Sequence, residues 1–169
     1  MFDLKPLHPD AIPKALQKAE RYRLLNEPEE AESICLDILA AAPDNAEALV
    51  TLVLALTDQF RTDYDAQYFA RAKEALARLP DEYDRYYYAG IICERRGSAT
   101  LERHGTGAES TAYVFFRQAM DWYEQAEAIR PSGNDDAVLR WNTCVRMLEK
   151  HQLVPAAAAS EVFEPILLE

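Results

Sequence analysis

The chain has 169 residues, 49% of them hydrophobic and 28% charged, which is the balance of an ordinary folded chain with room for one core. Its formal net charge of −11 excludes an electrostatic grip on nucleic acid or anionic membrane and favours basic or apolar protein segments as partners. The longest nearly apolar run, 48–56, is too short to span a bilayer, and the opening Met1-Phe2-Asp3-Leu4-Lys5-Pro6 lacks the layout of a secretory signal, so the expected compartment is the cytoplasm.

Residues 1–11 read as an extended lead-in, because Lys5-Pro6 and His8-Pro9 resist helix. Asp10 is expected to cap a first helix that carries Pro13 in its first turn and ends near Leu25. Asn26-Glu27-Pro28-Glu29 predicts a restart, with Asn26 and Glu29 as a capping box, and the second helix stops before Pro43. Asp44 and Glu47 predict the same device for a third helix over 46–59, the most apolar and so the most buried. A fourth helix is expected over 65–79. Asp81 caps a fifth, a sixth ends at Pro131, and a seventh runs from near Asn134 to near His151. No segment alternates as a strand pair does, so the expected class is all-α.

A recurrence ties these helices together. Ala31, Cys35, Ile38 and Pro43 are spaced by four, three and five, and Ala119, Tyr123, Ala126 and Pro131 repeat that spacing. Such self-similarity marks an array of helical hairpins, each burying one face on its neighbour. In these residues the chain resembles the tetratricopeptide repeat family, whose motif is 34 residues long and forms two antiparallel helices. Repeats fall at 12–45, 46–82 and 83–133, with a partial one at 134–151 and an apolar tail at 152–169. Ala19 takes the small position of the first repeat and Gly90 that of the third, with Tyr22 and Tyr86 as aromatic partners. The resemblance implies a right-handed hairpin solenoid of about seven helices. Ala31, Gly90 and Ala119 are its expected close-contact positions.

The second repeat is three residues too long and the third seventeen, and the third's surplus lies between Gly97 and Ala119. Only Gly105-Thr106-Gly107 there is strong turn material, so a long hairpin with both helices extended about two turns is expected, with Gly97 an interior glycine. His104-Gly105-Thr106-Gly107 lacks the glycine spacing, the lysine and the preceding strand of a phosphate loop. Tyr113, Phe115, Phe116, Trp122 and Tyr123 crowd the second helix of this hairpin. An apolar patch is expected where the extension outruns its neighbours.

The resemblance also implies a concave groove lined by the first helix of each repeat. Its positions here are Leu16 and Glu20, Val50 and Leu54, Tyr87 and Ile91, and Val138 and Asn142. Family members that clamp a terminal carboxylate of heat-shock chaperones use lysine, asparagine and arginine. Leu16, Glu20, Thr51, Asp84 and Tyr88 stand in the corresponding places, so that clamp is not expected.

No constellation points to catalysis. His8, His104 and His151 have no metal-ligand spacing, Ser110 and Ser160 have no base or glycine elbow, and an enzyme would need His104 to converge with Glu102 and Glu109. No catalytic residue, metal or cofactor is expected, and the three cysteines read as buried packing residues. The leading functional reading is an adaptor that binds an apolar or amphipathic polypeptide segment. The alternatives are a secretion-type chaperone and a self-associating subunit. Val162, Phe163, Ile166, Leu167 and Leu168 make the tail too apolar for a comfortable free end, so it is expected to dock on the open face of the last helix, in its own groove or on a second copy.

Overall fold

The computed structural model describes residues 2–61 and 65–155, except for the side chain of Asp65. Among them are seven α-helices and no strand: α1 (Ile12–Leu24), α2 (Pro28–Ala41), α3 (Ala46–Asp58), α4 (Asp65–Ala77), α5 (Glu82–Glu102), α6 (Ala108–Ile129) and α7 (Asp136–Lys150). A single 3-10 turn, Pro9–Ala11, precedes α1. No helix of the described residues is long and apolar enough to cross a membrane. The chain divides into two compact units, one running to Leu79 and the other starting at Pro80.

In the first unit, α1 packs on α2, α2 on α3 and α3 on α4, and α1 also meets α3. Ala31, Cys35 and Ile38, the four-and-three stripe of α2, keep no exposed surface, and neither do Ala19 of α1 or Leu49, Val53 and Leu56 of α3. Polar ties reinforce this packing. Glu32 of α2 pairs with Arg71 of α4, and its other carboxylate oxygen accepts from Gln59 Nε2 at 2.7 Å, just past the end of α3. Arg23 Nε donates to Asp58 Oδ2 at 2.9 Å, joining the last turns of α1 and α3.

Three of the expected helix starts differ from the observed ones. Asp10 lies in the 3-10 turn, and Ala11, which has no capping side chain, precedes α1. Asn26 does not cap α2: its φ of 60° puts it in the left-handed region, where it ends α1. Asparagine suits both roles, and here backbone reversal wins. At α3 the cap is Asn45 instead of Asp44, with Asn45 Oδ1 accepting from the Ala48 amide at 2.8 Å. Asp81 caps α5 as expected, accepting from the Asp84 amide at 3.0 Å.

In the second unit, α5 packs along α6, and α6 along α7. With 21 and 22 residues, α5 and α6 form the long hairpin that the surplus predicts. Gly97 is more than tolerated. A Cβ there would stand 3.2 Å from the Phe116 ring and 3.3 Å from Phe115 Cβ, so its missing side chain lets α6 approach. Phe115, Phe116 and Tyr123 are buried, and Trp122 stacks on Tyr86 with centroids 5.8 Å apart. Among the described residues no large apolar side chain of the extension is fully exposed, and Tyr113 and Val114 are half-buried. The large apolar side chains left exposed lie elsewhere, at Leu24, Leu139 and Val154 among others, because the aromatic residues of α6 turn into the hairpin interface.

Candidate functional site

The eight expected groove positions fall in the two units, and each unit has its own surroundings. In the first, Leu16 and Glu20 lie one turn apart on α1 and open onto a cavity of about 530 Å³. Ile12, Pro13 and Ala46 supply its apolar lining, and Glu47 at the start of α3 adds a second carboxylate beside Glu20. Leu16 is mostly buried, whereas Glu20 is exposed. Val50 and Leu54, one turn apart on α3, are half-buried. A concavity lined by apolar side chains, Gln17, Asn45 and two carboxylates is chemically suited to an apolar side chain flanked by a cation.

In the second unit, Tyr87 belongs to a cluster of rings on α5. It stacks on Tyr83 with centroids 5.9 Å apart, meets Tyr88 edge-on at 5.1 Å and tilts against Tyr123 of α6 at 6.0 Å. Burial raises its phenol pKa, and burial followed by the Asp84 carboxylate pushes that of Tyr88 up to about 12. Ile91 is buried and serves packing. Val138 and Asn142 on α7 are half-buried.

Beneath the tyrosines lies a polar centre that sequence reasoning missed. Glu94 of α5 is only 7% exposed. Its Oε2 accepts from the Tyr123 hydroxyl of α6 at 2.7 Å and lies 3.3 Å from Arg140 Nε of α7. Burial, then the Glu94 carboxylate, raises the Tyr123 phenol well above its usual range. Burial works against the charge of Arg140, but Glu94, Tyr123 and Tyr87 together outweigh it and the guanidinium pKa rises. One side chain from each helix therefore meets at a single carboxylate. A signal for this existed in the sequence. Glu94 stands between Gly90 and Gly97 at spacings of four and three, and Arg140 between Ala137 and Cys144 at three and four. Both charges lie on helix stripes that are otherwise small or apolar, where a solvated role is improbable on spacing alone.

The tip of the long hairpin carries a cavity of about 840 Å³. Glu102, His104, Gly105 and Glu109 line it together with Met147, Lys150 and His151 from the end of α7. The residues that an enzyme would need to converge around His104 thus share one cavity, although Glu102, His104 and Glu109 are all exposed. Among the described residues no group of three or more histidine, cysteine, aspartate or glutamate side chains is arranged to hold a metal ion. His8 lies outside the cavity, accepting from the Asp10 amide at 3.3 Å. Ser160 and the apolar residues Val162, Phe163, Ile166, Leu167 and Leu168 lie outside the described residues.

The chain matches no protein-family model, no curated protein and no solved structure.

Proposed function

We propose that this chain is a tetratricopeptide-like interaction module, a right-handed hairpin solenoid whose first helices line a groove for an apolar or amphipathic polypeptide segment. One observation carries the reading. Leu16 and Glu20 on α1 and Ala46 and Glu47 on α3, first helices of successive hairpins in this reading, share one concavity lined by apolar residues and two carboxylates. A ligand matched to it carries apolar side chains at helical spacing with lysine or arginine beside them, in keeping with the net charge of −11. We further propose that the tip cavity is not an active site. Its histidine stands on an exposed turn and its carboxylates on the exposed ends of α5 and α6, where nothing excludes water from a reacting group.

The test compares two variants of equal charge change. Peptides selected from a displayed library against the full chain are labelled, and their affinities read by fluorescence anisotropy. Glu20→Arg, inside the concavity, should weaken binding at least fivefold. Asp37→Arg, on the exposed side of α2, should leave it within twofold. Equal loss from both variants would mean diffuse charge attraction, and the groove reading would fall.

A further inference from the structure

Ahead of α1 the chain carries an exposed arm. Residues 2–8 belong to no helix or strand. Phe2 is 103% exposed and Leu4 91%, more than any other large apolar side chain of the described residues. A proline holds the residue before it to extended backbone, which restrains Lys5 before Pro6 and His8 before Pro9, and His8 stands at φ −72° and ψ 135°. Along an extended segment, side chains two apart share a side, so Phe2 and Leu4 form one apolar face. Phe2 to Pro6 are all exposed, and the arm first gains cover at Leu7, which is half-buried. One exposed apolar residue needs no explanation, but two on one face of a stiffened segment are the anchors of an extended ligand.

The concavity between the start of α1 and the start of α3 has the complementary chemistry. Its volume of about 530 Å³ lies within the range of pockets that hold ligands, and it admits a ring beside a branched side chain. Ile12, Pro13, Leu16 and Ala46 supply apolar surface, Glu20 and Glu47 supply charge, and no basic side chain among the described residues lines it. Lys5 is the one lysine or arginine of the arm. With Phe2 and Leu4 seated, Asp3 and Lys5 start from the opposite side of the segment. The four-carbon stem of Lys5 is long enough to bend back to a lining carboxylate, whereas the short Asp3 side chain stays in water.

Resting on the groove reading above, we propose that the arm of one copy seats Phe2 and Leu4 in the Glu20 concavity of a second copy, and that two copies exchange arms reciprocally. The occupant is not the chain's own arm. Pro6 and Pro9 hold that arm extended, and its own concavity leaves Phe2 and Leu4 in water. Nor is a foreign protein needed. Arm and receptor flank the start of α1 in one chain, so a single two-fold axis satisfies both sites at once. Once one arm is seated the second exchange is intramolecular, which compensates for the small area of each contact.

Sedimentation velocity of the full chain over a concentration series tests this, together with a labelled peptide of residues 2–9 read by fluorescence anisotropy. The mass should rise from monomer to dimer with concentration. The arm variant, Phe2→Ser with Leu4→Ser, should stay monomeric throughout the series, and so should Glu20→Arg, while Asp37→Arg should dimerise like the parent. Both arm residues are exposed, so their replacement leaves the fold intact by circular dichroism. The peptide should bind the arm variant at least fivefold more tightly than the same variant carrying Glu20→Arg. A parent chain that stays monomeric overturns the proposal. So does a dimer that survives the arm variant or Glu20→Arg, or a peptide that binds without regard to Glu20. In any of those cases the library-selected peptides separate the two readings: if their binding still depends on Glu20, the groove stands without the exchange, and if it does not, both fall.

Discussion

Replacing Gly90 by alanine sets two rules against each other. Helix propensity alone favours alanine in a helix interior by about 0.8–1.0 kcal/mol. The packing opposes it, because a Cβ on residue 90 would lie 2.3 Å from Tyr123 Cε1, 2.6 Å from Cδ1 and 2.8 Å from Cζ. The ring cannot simply swing away. Tyr123 is fully buried, Tyr87 lies against it, and its hydroxyl holds Glu94. Overpacking costs about 1–3 kcal/mol. A ring that rotates to escape gives up a hydrogen bond to a buried carboxylate, about 1.5–3 kcal/mol more. Offset by the propensity gain, Gly90→Ala should destabilise the fold by roughly 2–4 kcal/mol, a fall in Tm on the order of 5–15 °C for a chain of this size. Urea unfolding followed by circular dichroism and by tyrosine and tryptophan emission measures this directly. A Gly90→Ala protein as stable as the parent, or more so, would show that propensity governs the position and would refute the close-approach argument.

Three further outcomes follow from the same geometry. Arg140→Ala leaves the Glu94 charge buried beside a neutral donor and should cost about 2–3 kcal/mol, below the ~3–5 kcal/mol of a fully buried pair because Arg140 is partly exposed; the double variant Arg140→Met with Glu94→Gln should recover at least half of that in a thermal melt. Cys35, Cys93 and Cys144 form no disulfide and are buried, and burial pushes the Cys35 thiol up to about 12, so a thiol reagent at neutral pH should label the native chain at least a hundredfold more slowly than the urea-unfolded one. Stability should decline with alkali. The raised groups, Cys35, Tyr88 and Tyr123, stay protonated in the fold above pH 9–10 while the unfolded chain releases those protons, so their contribution is whole below that window and is lost through and above it. The slope is about 1.4 kcal/mol per pH unit for each group titrating only in the unfolded chain. A flat urea midpoint between pH 8.5 and 11 would contradict it.

What could be read in advance was whatever rests on apolar spacing and on proline. The stripe of Ala31, Cys35 and Ile38 and its counterpart Ala119, Tyr123 and Ala126 are both fully buried, and the long hairpin turns at Gly105 to Gly107 as its composition implies. The buried pair Glu94 and Arg140 went unread because charge was equated with a solvated face. The tip cavity went unread for another reason, since it joins residues near 104 to residues near 150, and spacing within a helix carries no information about such distant pairs. At Asn26 the local chemistry was ambiguous, since one residue type serves both to begin a helix and to reverse the chain after one. The groove positions share that limit. Helical spacing alone does not separate Ile91, which is buried, from Glu20, which is exposed.

The turn between α5 and α6 has a practical use. It stands at the end of a hairpin whose packing residues are all in the helices below, and a Cβ added at Gly105 would meet nothing within 4 Å. Thr106 beside it is exposed, while Gly107, at φ 76°, holds the backbone entry into α6 and is best left intact. A short epitope, or a whole reporter domain with its ends close together, should therefore be accepted between Gly105 and Thr106 at little expense to the melting temperature. Such an insert would label the module in cells while keeping both chain ends, and the concavity beside Glu20, unaltered.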